Sequence, residues 1–266
     1  MTYATIRVEE VGPGVGLLTL DRPDVMNAYT TEMCEEVVAA LDAYARDDTR
    51  RVLVITGEGR GFCSGGNLAD GTARSTAEAR QLGHAIVMRE GFHRLSLALR
   101  RLDKPVIAMV NGPAVAGGLT LALLCDFRIA SDRAVFGDPS GTAGLLPDEG
   151  GAWLFPRAMG LDHALRMVML GERYDARRAL ELGLVTEVVP HAELRERTLA
   201  MAGSLAARAP LAVRLAKRMM YRSLEATFES SLGDAELSVM IANASEDAGE
   251  GVQAFLARRP PDFRGR

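Results

Sequence analysis

An apolar, strand-like run at residues 105–110 gives way to an apolar, helix-like run at residues 119–124, and the glycine pair Gly117-Gly118 stands at the join. N–H groups that open a helix have no partner inside it. They carry partial positive charge and point at whatever lies in front of them. Glycine lets a ligand approach that backbone closely. A second turn of the same chemistry lies upstream, GFCSGGNL at residues 61–68. Two such turns can aim two amides at one carbonyl oxygen, which makes an oxyanion hole for a developing enolate. The same glycines also suit tight helix–strand packing and turn closure. Taken alone, the residues leave both readings open.

A chain of 266 residues can bury a sizeable core as one domain, or as one domain with an appendage. Its formal net charge of −4, with both signs interspersed, argues against nucleic acid as the main ligand. The stretch 255–266 is locally basic, with Arg258, Arg259, Arg264 and Arg266, and suits either a solvated tail or a phosphate site. Three cysteines, Cys34, Cys63 and Cys125, lack metal-ligand spacing, and so sparse and odd a set fits a reducing compartment. The opening MTYATIRVEE has no basic segment followed by an apolar one, and no stretch is long and apolar enough to span a membrane. A soluble, cytoplasmic protein is expected.

Strands and helices alternate in the first part. Residues 4–8 and 15–20 read as a hairpin around Gly12-Pro13-Gly14. Thr30 or Thr31 caps a helix whose Met33, Val37, Leu41 and Tyr44 share a face. Strands are expected at 51–56, 106–110, 127–130, 134–136 and 184–189. A mostly helical stretch is expected at 70–101, and Asp175 is a good N-cap. From about residue 192 onward only helices are expected. There Leu211, Leu215 and Met219 form one stripe and Phe228, Leu232, Ala235 and Val239 another. Such stripes are usually core, or in a terminal segment they pack on a neighbouring subunit.

Six segments then carry a family pattern in order: LDRPDVMNAY (20–29), RVLVITGEGRGFCSGGNL (51–68), KPVIAMVNGPAVAGGLTLALLCDFRIAS (104–131), FGDPSGTAGLLPDEGGAWLFPRAMG (136–160), ALELGLVTEVVP (179–190) and EGVQAFLARRPPDF (250–263). The chain resembles the enoyl-CoA hydratase/isomerase, or crotonase, superfamily. The resemblance implies an α/β fold, a crotonase-like (ClpP/crotonase) spiral of ββα units. Residues 1–200 would form the spiral core with the CoA and acyl site. Residues 201–266 would form a helical trimerisation region that completes the CoA site. It implies a homotrimer or dimer of trimers, and an acyl-CoA substrate with no cofactor beyond its coenzyme A moiety. It implies no metal, nucleic acid or membrane. Mapped onto this chain, the amides of Gly66 and Gly117 form the hole, and the adenine lies against Ser64 and Leu68. The turn Met26 to Ala28 touches the CoA arm, Arg22 meets its phosphates, and Phe255 and Arg258 complete the site from a neighbouring subunit. Arg258 stands where the family often has lysine, offering a fork rather than a point charge.

The hole gives the intermediate, and the carboxylates around it give the reaction. Hydratases of the family carry two glutamates, at the positions of Thr120 and Ser140 here. Neither residue can act as a carboxylate base, which speaks against ordinary hydration. In relatives that shift double bonds, the position of Asp148 holds the acting carboxylate. Burial in an acyl pocket would raise an aspartate's pKa toward neutrality. Asp148 could instead simply cap the helix near Gly150, and Glu149 is the adjacent alternative, since neighbouring side chains on a turn diverge. The expected activity is double-bond isomerisation with Asp148 as proton carrier. The alternatives are hydration despite the missing glutamates, acyl-CoA decarboxylation or C–C cleavage, and CoA-thioester binding without chemistry. His84 and His93 border the expected pocket but lack metal-site spacing. His163 and His191 read as surface residues and Asp70 as an N-cap. Trp153 and Phe155 read as pocket walls or packing, and Asn67 as a residue that holds its turn by hydrogen bonds.

Overall fold

Six strands pair into one sheet in the computed structural model, which describes residues 2–67 and 83–266. β1 (Ile6–Gly12) and β2 (Val15–Leu20) form the expected antiparallel hairpin, turning where Gly14 holds a positive φ of 71°. β3 (Val52–Gly57), β4 (Val106–Val110), β6 (Phe127–Ser131) and β9 (Glu187–Val189) continue the sheet in parallel. Parallel strands need crossovers, and crossovers cover both faces of a sheet. Every residue of β2, β3 and β4 is accordingly buried. Leu18, Leu20, Leu53 and Ile55 face one core; Leu17, Val52, Val54 and Ile107 face the other. A small second sheet joins β5 (Ala114–Val115), β7 (Val135–Gly137) and β8 (Arg173–Asp175).

α1 (Thr31–Arg46) is capped by Thr30, whose side chain accepts from the Met33 amide at 3.2 Å. Its buried Met33, Val37, Leu41 and Tyr44 lie on the expected face. The helical stretch expected at 70–101 is α2 (Gly83–Glu90) and α3 (Phe92–Arg101), broken at Gly91; its part before residue 83 lies outside the described residues. α4 (Gly117–Leu124) is buried along its whole length. α5 (Gly151–Met159), α6 (Leu161–Leu170) and α7 (Ala176–Glu181) follow, the last capped by Asp175 as expected. The strand expected at 184–189 is confined to β9.

α8 (Leu194–Ala206) lays Leu194, Ala202 and Ala206 onto the second face of the large sheet. The boundary expected at residue 200 therefore falls inside a helix that belongs to the core. α9 (Pro210–Ser223), α10 (Phe228–Asn243) and α11 (Glu246–Ala257) complete the chain. The core reading of the two apolar stripes does not hold within this chain. α9 and α10 bury no residue, and Phe228, Leu232 and Val239 are exposed. α9 is held by polar contacts instead. Lys217 Nζ donates to Asp126 Oδ2 at 2.7 Å and to the Lys104 carbonyl at 2.8 Å, and the Tyr221 hydroxyl donates to Asp126 Oδ1 at 2.8 Å. The tail returns to the core, where Arg51 donates to the carbonyls of Ala206 and Phe263 at 2.9 and 2.7 Å.

Candidate active site

Four segments meet at the N-terminus of α4. The first is the turn after β2. Met26 and Asn27 both take left-handed backbone conformations, at φ 50° and 56°, which asparagine tolerates better than most residues. Asn27 is fully buried; its Nδ2 donates to the carbonyls of Glu58 and Gly61 at 2.9 Å each, and its Oδ1 accepts from the Arg22 amide at 2.9 Å. Arg22 also donates from Nη1 to the Ala28 carbonyl at 2.7 Å. This delivers Tyr29 to the second segment, residues 61–67, where the Tyr29 amide donates to the Gly65 carbonyl and the Asn67 amide to the Tyr29 carbonyl.

The second and third segments touch through Gly65, whose φ is +94°. A Cβ there would lie 3.0 Å from Ala116 Cβ and 3.5 Å from the Gly117 nitrogen. The third segment enters α4 through Ala116, held at φ 50°, ψ −123°, with no side-chain cap on the helix. Such a backbone is costly for alanine, and strain of this kind gathers at functional sites. The glycine pair divides between its two readings. A Cβ on Gly118 would lie 2.0 Å from the Cys63 carbonyl oxygen, so this glycine is required for packing. A Cβ on Gly117 would instead lie 2.5 Å from Tyr29 Cε1 and 2.7 Å from Glu149 Oε1, so this one opens onto the site. Among the described residues neither the Gly66 nor the Gly117 amide donates to a protein acceptor.

The fourth segment is the loop 138–150. α3 holds it from below: His93 Nε2 meets the Asp148 carbonyl at 2.7 Å, and Ser96 Oγ donates to the Glu149 carbonyl at 3.3 Å. A carbonyl can only accept, so Nε2 carries the proton. The loop then bends at Gly150, φ 117°, which is itself the N-cap of α5; Asp148 does not cap that helix. Held this way, the loop turns Glu149 inward. Its Oε1 accepts from the Tyr29 hydroxyl at 2.9 Å. Burial pushes the Glu149 carboxyl up to about 7, with the nearby charges of Asp148 and Asp138 adding and the Tyr29 hydrogen bond opposing. Burial beside that carboxyl pushes the Tyr29 phenol well above its usual range, so it remains a donor.

The carboxyl brought against Gly117 is that of Glu149, while Asp148 is half-buried. Met26 and Ser64 do meet, the Ser64 amide donating to the Met26 carbonyl at 3.1 Å, while the Ala28 amide donates to the Val25 carbonyl at 3.1 Å. Thr120 and Ser140 are buried. Phe255 is 82% exposed, and Arg258 follows it at the end of α11, where the tail's hydrogen bonds run to Asp247, Glu250 and Arg51 and not to the glycine turns. Leu68 and Asp70 lie outside the described residues, as does the side chain of His84. Trp153 is stacked by the guanidinium groups of Arg157 and Arg100, at 4.0 and 5.0 Å, and Phe155 is buried core. His163 and His191 are partly exposed and lie near helix starts. Sequence reasoning missed Tyr29, Asn27 and Asp138. The only hint for Tyr29 was its place directly after the Met26–Ala28 turn.

The sequence profile of enoyl-CoA hydratase/isomerase matches residues 10–266. The chain belongs to the enoyl-CoA hydratase/isomerase family. A probable enoyl-CoA hydratase of Rhodobacter capsulatus is 39% identical over the whole of both chains. A 1,2-epoxyphenylacetyl-CoA isomerase of Escherichia coli is 37% identical over 97% of this chain and 98% of its own. The crystal structure of an enoyl-CoA hydratase from Bacillus anthracis superposes with a TM-score of 0.93 at 32% identity, covering 99% of this chain and all of that one. The fold is thus the crotonase fold, and an acyl-CoA thioester is the substrate class of the family. No single helix among the described residues is long and apolar enough to cross a membrane.

Proposed function

We propose that the protein moves a double bond within an acyl-CoA thioester, carrying the proton on Glu149. The observation that carries this reading is the placement of one carboxyl, poised near neutrality and hydrogen-bonded to Tyr29, against the backbone of Gly117. The thioester oxygen accepts from the amides of Gly66 and Gly117, which stabilises the enolate as it forms. Glu149 takes the proton from C2 of a 3-enoyl ester. The electron pair of that C–H bond enters the conjugated enolate, and the carboxyl returns a proton to C4, leaving the 2-enoyl ester. A general base near pKa 7 is in its working form at neutral pH and still basic enough to act. No step needs a cofactor.

Hydration is disfavoured by two neighbours. Thr120, at a hydratase glutamate position, is fully buried and neutral, and Ser140, at the other, is turned to Asp138 Oδ1, its amide donating at 2.9 Å. The similar Escherichia coli isomerase lends support to isomerisation, and the similar Rhodobacter capsulatus hydratase keeps hydration as the competing outcome. We further propose that the protein is a homotrimer in which exposed Phe255 and Arg258 complete the CoA site of a neighbouring subunit. Light scattering reading a single chain's mass would overturn that.

The test is conversion of a 3-enoyl-CoA to the 2-enoyl-CoA by the parent, Glu149→Gln and Asp148→Asn. General-base removal costs roughly 10²–10⁴ in rate, so Glu149→Gln is expected to fall by that much with ester binding retained, and Asp148→Asn by far less. Normal turnover in Glu149→Gln with loss in Asp148→Asn would return the role to Asp148. Retained isomerisation in both would put the proton carrier elsewhere and overturn the proposal, and a parent that isomerises no 3-enoyl-CoA would favour a reaction that needs no base, such as decarboxylation. Hydration of crotonyl-CoA faster than isomerisation would replace the proposal.

A further inference from the structure

Three buried polar side chains around the start of α4 have an atom with no hydrogen-bond partner among the described residues: Thr120 Oγ1, Asp138 Oδ2 and Glu149 Oε2. Their residues are 0%, 1% and 6% exposed. A buried carboxylate oxygen without a donor costs on the order of 1–3 kcal/mol or more. Three around one helix start, unpartnered among the described residues, mark a place where a ligand can supply what is missing.

The backbone brings them together. β5 and β7 run parallel with Val115 opposite Gly137, and the Ala116 amide donates to the Gly137 carbonyl at 2.9 Å. Asp138 therefore sits beside Ala116, the residue before Gly117. The Thr120 amide donates to the Ala116 carbonyl at 3.1 Å, one helical turn on, and the Cβ position of Gly150 lies 3.8 Å from Thr120 Cγ2. Glu149 reaches Gly117 from the other side. Asp138 is held firmly, since Oδ1 accepts from both the amide and the hydroxyl of Ser140. Its other oxygen is left for a ligand.

We infer that Asp138, with Thr120 and the free oxygen of Glu149, forms a subsite in the acyl pocket that receives an O–H group. Asp138 Oδ2 is a carboxyl acceptor, Glu149 Oε2 accepts when ionised and donates when protonated, and the Thr120 hydroxyl does both. An O–H ligand matches that set, whereas a hydrocarbon chain leaves all three unpaired and a ligand carboxylate meets two acidic groups. The O–H is a hydroxyl carried by the acyl group, or a water held beside it. This inference rests on the reading that the acyl group lies against Gly117 and Glu149. It assigns specificity to Asp138, a residue outside the proton transfer proposed above.

The test compares butyryl-CoA with 3-hydroxybutyryl-CoA by calorimetry, on the parent and on Asp138→Asn. Asparagine keeps the Oδ1 acceptor for Ser140 and replaces the open acceptor with an N–H donor, so the turn is preserved while the subsite's polarity is inverted. A hydroxyl of the acyl group makes the hydroxy ester bind at least about tenfold more tightly to the parent, and Asp138→Asn erases that preference. A bound water makes the two esters bind alike, and a crystal structure with butyryl-CoA then shows an ordered oxygen within about 3.2 Å of Asp138 Oδ2. Thr120→Val, close in shape to threonine, is expected to act in the same direction. Equal affinities with no such oxygen, or a preference unaltered in Asp138→Asn, would overturn the subsite. Exchange of the butyryl-CoA α-protons with D2O separates the two proposals. Exchange that persists in the parent while the subsite fails leaves the Glu149 reading standing. Absence of exchange brings down the Glu149 reading itself.

Discussion

Replacing Glu149 by glutamine is expected to make the protein more stable and less active, with a gain that grows with pH. In an unfolded chain the carboxyl titrates at its ordinary value of 4.5; in the folded protein burial moves it to about 7. Below pH 4.5 both states hold the proton and the group is neutral in its effect on stability. Between 4.5 and 7 the unfolded state releases its proton while the folded state keeps it, so folding grows weaker as pH rises. Above 7 the folded state carries a buried carboxylate and the loss is complete. The gap is a factor of a few hundred in proton affinity, about 3 kcal/mol. At pH 5 less than about 1 kcal/mol of that loss has accumulated. Glutamine keeps the acceptor for the Tyr29 hydroxyl and has no proton to lose. Urea unfolding of Glu149→Gln and parent at pH 5 and pH 8 should therefore show nearly equal stability at the lower pH and an advantage of about 3 kcal/mol for the variant at the higher. A variant no more stable than the parent at pH 8, or an advantage independent of pH, would refute the claim that the folded protein holds this carboxyl against ionisation.

Three further outcomes are expected. Tyr29→Phe removes the hydrogen bond that opposes the rise of Glu149, so the acidic limb of the kcat/KM profile should move to higher pH, with turnover reduced roughly 10–100-fold, as loss of a hydrogen bond to a charged group implies; stopped assays across pH 5–9 read both. Gly118→Ala places its Cβ 2.0 Å from the Cys63 carbonyl; with backbone on both sides, the loss should reach or exceed the ~3 kcal/mol of ordinary overpacking, visible as a large drop in Tm. Lys217→Met removes the charge that meets Asp126 Oδ2 at 2.7 Å, while the Tyr221 hydroxyl and the Val106 amide still donate to that carboxylate; the loss should stay below the roughly 3–5 kcal/mol of a buried pair broken with nothing left to compensate it, and urea unfolding checks it.

Much of the fold was legible because burial imposes periodicity. The hairpin, α1 with its Thr30 cap and the Asp175 cap of α7 all follow from local pattern and capping chemistry. The apolar stripes of α9 and α10 left core and subunit packing both open, because a repeat of three or four residues shows that a face is apolar and not what covers it. In the site, the glycine turns at 66 and 117 were visible as turns. The choice between Asp148 and Glu149 was not, because it depends on how His93 and Ser96 of a distant helix grip the loop. Tyr29 and Asp138 were hidden for the same reason. Each matters through a neighbour that the chain supplies about ninety to one hundred and twenty positions later, or about twenty earlier, across a parallel pairing.

The hydrogen bond between Tyr29 and Glu149 spans 120 positions of the chain. With it the working geometry is tied to the last crossing of the sheet and has no local nucleus of its own. A partly wound molecule would hold both glycine turns and still lack the Glu149 carboxyl beside them. Recovery of turnover after dilution from denaturant should therefore trail the return of helical signal and coincide with the final tertiary step, and a cut between residues 30 and 148 that lets the pieces separate should silence the chemistry wherever it falls.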